Sequence, residues 1–200
     1  MKKILVSLMI IALVCALIGT GVYLAFSDTE TSASNTFAVG TLDLEVDDEN
    51  PWASFAFNVS ALKPGDTGSV SIKLENVGTI DGTTLTVDLT NLVDAPGTTP
   101  EPEIIFNPDL GELSANMDIV MWEDDGAGGG IANNGILDGG EATLYSGKLN
   151  AEAGPYTVTG GLAILPTVKY VGISYSIDSG VGNVIQDDSC TFDIEFVLTQ

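Results

Sequence analysis

The sequence predicts an all-β chain, a jelly-roll-like antiparallel β-sandwich of about eight or nine strands preceded by an N-terminal signal helix. Three observations predict it. After the first 25 residues, apolar side chains recur with period two rather than with helical spacing. Clusters of Gly, Pro, Asn and Asp interrupt the alternation at short intervals, as turns between short strands do. No long amphipathic run follows the leader, so nothing competes with a sandwich or jelly roll.

Lys2 and Lys3 form a short positive start, and Ile4 to Leu24 is apolar apart from Ser7, Gly19, Thr20, Gly21 and Tyr23. About 20 apolar residues can span a bilayer, so an uncut anchor is one reading of this stretch. Gly19-Thr20-Gly21 weakens the helix near its end, and the small residue Ala25 suits the last position before a cut, which favours a signal peptide over residues 1–25. Tyr23 departs from the small-x-small pattern of such sites. The chain would then begin at Phe26, with signal peptidase as its partner during export and a membrane contact only through an uncleaved leader.

The candidate strands follow in order. Phe37 and Val39 alternate on odd positions, whereas Leu42, Leu44 and Val46 alternate on even ones, with Gly40-Thr41 between them. A one-residue slip moves every side chain to the other face, so one regular strand cannot hold both sets. Either a bulge sits at Gly40, or residues 26–40 form a separate arm that pairs with a neighbouring copy while residues 41–200 fold as the domain. Strand addition at an exposed edge supplies main-chain hydrogen bonds, with alternate side chains filling pockets. Head-to-tail contacts of that kind generate filaments.

Phe55, Phe57 and Val59 predict a further strand; Val70, Ile72 and Leu74 another; Leu85, Val87 and Leu89 a third. Asp118 to Trp122, Ala142 to Leu149, Val168 to Ile177 and Thr191 to Leu198 continue the pattern. Between Asp94 and Asp109 stand Pro96, Pro100, Pro102 and Pro108, which predict an excursion outside the sheets. Trp52 and Trp122 are expected over the open end of the core, with a place on a ligand surface as the alternative.

Composition narrows the function classes. The 200 residues carry 28 acidic and 6 basic side chains, with no histidine, for a net charge of −22; losing Lys2 and Lys3 with the leader takes it to −24. Such a surface repels nucleic acid and anionic membrane and favours cations or basic partners. It equally suits solubility in a salty or acidic medium. Of the two cysteines, Cys15 lies in the leader, so Cys190 has no partner for a disulfide and is expected as a buried thiol.

Residues Phe26 to Leu44 (FSDTETSASNTFAVGTLDL), Val59-Ser60-Ala61-Leu62-Lys63-Pro64-Gly65-Asp66 and Ser71 to Thr79 (SIKLENVGT), in this order, closely resemble the TasA/camelysin family of secreted prokaryotic proteins. The resemblance thins between Asp94 and Asp109 and returns from Ile185 to Leu198. It implies a dedicated signal peptidase, a jelly-roll domain and, in the TasA branch, extracellular matrix fibres held by an N-terminal donor strand. Carried onto this chain, it implies a cut between Ala25 and Phe26 and an arm from Phe26 to Val39, ending before Gly40, with Phe37 and Val39 as pocket fillers. The expectation is a secreted homopolymer of the cell surface or extracellular matrix. A membrane-anchored monomeric binding module is the alternative, and a secreted peptidase is a third.

Some members of the family carry a metallopeptidase label. Without histidine the chain has no HExxH motif and none of the usual imidazole ligands of a catalytic zinc, so zinc is not expected. A Ser-His pair is impossible, and Cys190 has no histidine to activate it. The stronger chemical signal is Glu123-Asp124-Asp125-Gly126 followed by Asn133 to Glu141 (NNGILDGGE). From Asn134 onward the order mimics the second half of a calcium loop: Asn134 through its side chain, Ile136 through its carbonyl, Asp138, and Glu141 with both oxygens. Asp124 and Asp125 would have to return across Gly126 to Ile131 to complete it. The other reading of the same residues is an acidic hairpin without a metal. Asn58-Val59-Ser60 is a glycosylation sequon, with Asn58 as the acceptor candidate. Lys63-Pro64-Gly65-Asp66 reads as a tight turn.

Overall fold

A computed structural model of the chain describes residues 3–13, 39–53, 56, 57, 59, 61–97 and 111–200. The chain divides into two compact units, Met1–Val39 and Gly40–Gln200. In the first, residues 3–13 are helical (α1). Among the described residues no helix is long and apolar enough to cross a membrane.

Among its described residues the second unit holds eight strands: β1 (Leu44–Val46), β2 (Thr67–Asn76), β3 (Thr84–Ala95), β4 (Met117–Glu123), β5 (Thr143–Lys148), β6 (Tyr156–Val158), β7 (Val168–Ile177) and β8 (Ser189–Thr199). One helical turn, α2 (Leu113–Asn116), precedes β4. Every ladder is antiparallel. They form two sheets, β1-β2-β7-β4-β5 and β6-β3-β8, so the chain is the all-β sandwich that its alternation predicts.

The inward side chains follow from period two. Ile72 and Leu74 of β2, Val171 and Ile173 of β7, Ile119 and Met121 of β4 and Leu85 and Val87 of β3 are at most 1% exposed and make up the core. Even positions also face inward in β1, where Val46 is buried and Leu44 half-buried. Main-chain bonds from Val77 to Asp43 (2.8 Å) and from Thr79 to Thr41 (2.8 Å) continue that pairing back towards Gly40. At Gly40 itself a Cβ would run into the Ile80 side chain, which would have to shift to admit any larger residue.

Three expectations are corrected. Phe55 lies outside the described residues, but Phe57 and Val59 of the expected strand, with Ala56, lie outside every strand, and Phe57 stands edge-on to Tyr175 with centroids 5.6 Å apart. Alternation makes a strand only where a sheet edge takes up the backbone, and here the ring went between the sheets instead. Trp122 does not cap the core; it points outward from β4, lies over Gly172 and is 1% exposed. Cys190 is half-buried rather than fully buried, because its strand lies at the end of a sheet.

Candidate functional site

The two lateral sides of the sandwich differ, and the difference defines the first site. On one side the sheets close on each other through β5 and β6, where the Tyr145 and Tyr156 rings meet at 5.4 Å. On the other side the sheets end in β1 and β8. Among the described residues β8 pairs only with β3 and is the end strand of the three-stranded sheet.

The burial of β8 is that of a strand with one neighbour among the described residues. Its inward residues Cys190, Phe192, Ile194, Phe196 and Leu198 are all half-buried, although they alternate as regularly as those of β3 and β7. A groove of about 880 Å³ runs beside them, walled by Cys190, Phe192 and Ile194 on β8 and by Trp52, Phe57 and Leu62 on the segment between β1 and β2. A second hollow of about 550 Å³ continues it to Leu44 and Val46 of β1. Trp52 borders both and meets Phe196 at 6.0 Å. Among the described residues the buried indole Nε1–H of Trp52 has no acceptor.

Most of the residues that line this groove are apolar. Burial, with the Asp94 carboxylate adding to it, pushes the Cys190 thiol up to about 11, so the sulfur stays protonated at neutral pH and is a poor nucleophile. Asp188 and Asp193 on its lining keep it acidic.

The second candidate is the acidic loop between β4 and β5. β4 carries Glu123 inward, 4% exposed, where its Oε1 accepts the Thr159 amide at 2.8 Å. Asp124 is fully buried; its Oδ2 accepts from the Gly135 amide (2.9 Å) and its Oδ1 from the Asn134 amide (3.4 Å). The return across Gly126 to Ile131 that the sequence required is therefore present. Gly126, at φ 71°, makes the first turn of it, a conformation that side chains resist. Glu141 accepts from the Gly126 amide (2.9 Å) with Oε1 and from the Asp138 amide (2.8 Å) with Oε2.

Asp138 Oδ2 accepts from the Ile131 amide (2.9 Å) and the Asn134 side chain (3.1 Å). Asn134 Oδ1 accepts from the Ile136 amide at 2.7 Å, and Asp125 turns to the Ala127 amide at 2.9 Å. The loop thus brings Asp124, Asn134, Asp138 and Glu141 into one hydrogen-bonded unit. Asp125 takes no part beyond its own turn, and the Ile136 side chain is exposed. The carboxylates are engaged with amide hydrogens. Among the described residues no three His, Cys, Asp or Glu side chains come together as a group that could hold a metal ion.

Of the remaining predicted positions, Ala25, Phe26, Phe37 and Asn58 lie outside the described residues, and so does the stretch from Thr98 to Leu110. Val39 is described and is 94% exposed. Sequence reasoning singled out Trp52 but missed the β8 face and Leu62 as walls of the groove. The available signal was the even burial pattern expected of β8, but nothing in a linear pattern reports that a strand lacks a neighbour.

Comparison with known proteins places these features. Residues 1–98 match the family of camelysin metallo-endopeptidases. A 79-residue stretch is 39% identical to a protein of Bacillus subtilis (strain 168) described as a major biofilm matrix component, covering 40% of this chain and 28% of that protein. The chain is similar to the TasA/camelysin family. Its likeness to that matrix component spans less than a third of the relative's length. The family match reaches from α1 through β1 and β2 and across β3, and so includes one wall of the groove, Trp52 to Leu62, while β8 and the acidic loop lie beyond it.

Proposed function

We propose that this protein is a secreted structural subunit of an extracellular or cell-surface matrix, which polymerises by donating its N-terminal arm to the next copy. The observation that carries this reading is the second edge of β8, which among the described residues pairs only with β3. A strand added there would complete a four-stranded sheet, and its alternate side chains would cover Phe192, Ile194 and Phe196, which their own chain leaves half-exposed. The arm from Phe26 to Val39 has the required sequence, with Phe37 and Val39 on one face of an extended chain. The matrix role described for the Bacillus subtilis relative supports the same reading.

A catalytic role has less support. The chain has no histidine, its groove cysteine is held neutral, and the peptidase label belongs to the family rather than to any arrangement of residues here. Calcium enters the proposal as a bridge between acidic faces rather than as a resident of the loop: an ion at Asp124, Asn134, Asp138 and Glu141 would compete with amides that already engage those oxygens. At a net charge of −22 or beyond, copies in a fibre repel one another, and a divalent cation offsets that repulsion.

Electron microscopy of the exported protein beside a chain beginning at Gly40 tests the proposal. Filaments are expected from the first and none from the second. Equal filaments from both, or none from either, would sink the donor-arm mechanism.

A further inference from the structure

The acidic loop between β4 and β5 carries the chain's single Asn-Gly step, Asn134-Gly135, which the matrix role leaves unused. Such a step is chemically labile. The glycine nitrogen, unhindered by a side chain, can attack the carboxamide carbon of the asparagine, and the products are a five-membered succinimide and ammonia. The rate depends on how the surrounding chain holds the nucleophile, the carbonyl and the leaving group.

All three are held here. Gly135 is buried and its amide donates to Asp124 Oδ2 at 2.9 Å, so a carboxylate faces the hydrogen that the nitrogen must lose. Asp124 is itself fully buried, and its other oxygen accepts from the Asn134 amide, which fixes its aim. The carboxamide oxygen of Asn134 accepts from the Ile136 amide at 2.7 Å, a donor placed to stabilise the charge that develops there when the carbon is attacked. That bond closes a ring around the Gly135 peptide, which keeps the carboxamide carbon beside the nitrogen. The departing nitrogen, Asn134 Nδ2, lies 3.1 Å from Asp138 Oδ2. Gly135 stands at φ 66°, where a side chain would be strained, so the fold requires the same glycine that the chemistry requires. Asn133 and Ile136 are exposed, which gives water an approach and ammonia an exit.

We infer that Asn134-Gly135 is a self-modification site, at which the folded loop converts Asn134 to aspartate or isoaspartate without a partner enzyme. The Gly135 nitrogen bonds to Cγ of Asn134 as its proton passes to Asp124. The Cγ–Nδ2 bond breaks, and Nδ2 leaves as ammonia with a proton relayed from Asp124 through water. Water then opens the succinimide at either carbonyl. The change replaces the amide donor that holds Asp138 with a carboxylate, and it makes a chain already at −22 more negative. The two carboxylates repel, and the loop loosens with the age of the subunit.

Peptide mass spectrometry on the exported chain, incubated at neutral pH either folded or unfolded in guanidinium chloride, tests this directly. The mass gain of amide-to-acid conversion is expected at Asn134 several-fold sooner in the folded chain. Conversion that is equal or faster in the unfolded chain would show that the loop does not assist it and would overturn the site. A second arm uses Asp124→Asn, which keeps the size of the side chain and removes the base. Conversion should slow several-fold while far-ultraviolet circular dichroism stays unchanged; an undiminished rate in the folded variant would overturn the assignment of Asp124. Where that variant does not fold, the comparison of folded and unfolded parent decides alone.

Discussion

The closed and open sides of this sandwich are built from the same kind of sequence and end in different states. On the closed side, β6 pairs with β3, Val158 is fully buried, and Tyr145 and Tyr156 seal the gap between the sheets. On the open side, β8 alternates as cleanly as any strand in the molecule, yet each of its inward residues is half-buried. The lesson is that alternation specifies which face a side chain takes, while burial depends on how many neighbours the strand has. A strand with one neighbour keeps surface to offer, and β8 offers an apolar one.

That comparison can be broken or sharpened by experiment. The largest effect is expected from removing residues 26–39, which should abolish filaments while leaving the far-ultraviolet circular dichroism of the domain intact; a lost β signal would mean that the arm belongs to its own fold. Next come core truncations on either side. Ile173→Ala, at a position without exposure, should cost about 2–5 kcal/mol in urea unfolding. Phe192→Ala on half-buried β8 should cost clearly less, yet weaken assembly more; equal losses of stability would show that β8 is as enclosed as β7.

A smaller effect belongs to the acidic loop. Glu141→Ala removes the acceptor of two amides, at Gly126 and Asp138, and should destabilise by about 1–3 kcal/mol. Calorimetric titration with calcium should give the same heats for this variant and the parent, since the ion is assigned to faces between copies; heats that vanish in the variant would place the ion in the loop. The smallest effect is electrostatic. Burial first, and then the neighbouring Asp88 carboxylate, raises the Glu152 pKa above its ordinary 4.5. A raised carboxyl favours the protonated folded state, so its contribution is complete below 4.5 and is lost as the pH climbs through the folded value. Glu152→Gln should flatten that part of the stability profile; an unchanged profile above pH 4.5 would show that the pair is too well solvated to matter.

Most of the fold was legible in the chain because period two and turn residues are local properties. β2, β3, β4, β5, β7 and β8 lie where the alternation of Ile72, Leu85, Ile119, Leu144, Ile173 and Ile194 predicts them. The exception was the run through Phe57 and Val59, where these described residues lie outside every strand and line the groove. Local pattern could not distinguish the two outcomes, because pairing depends on an edge supplied by β8, more than 130 residues later in the chain. The acidic loop was legible in its return across the glycines, and less so in its chemistry. Amide hydrogens and a cation compete for the same carboxylate oxygens, and only the folded backbone determines which of them is near.

By itself, then, the sequence determined an all-β domain behind a greasy leader, with a parity change at Gly40, strong negative charge and no histidine for catalysis. Each of these is a matter of composition or of neighbours along the chain. Tertiary structure alone decided that five strands went to one sheet and three to the other, that the sheets close at β5 and β6 and part at β1 and β8, and that the Trp52 indole N–H in the opening has no acceptor among the described residues. Those outcomes depend on which backbone edges find a partner, and edge pairing is settled between segments far apart in the sequence.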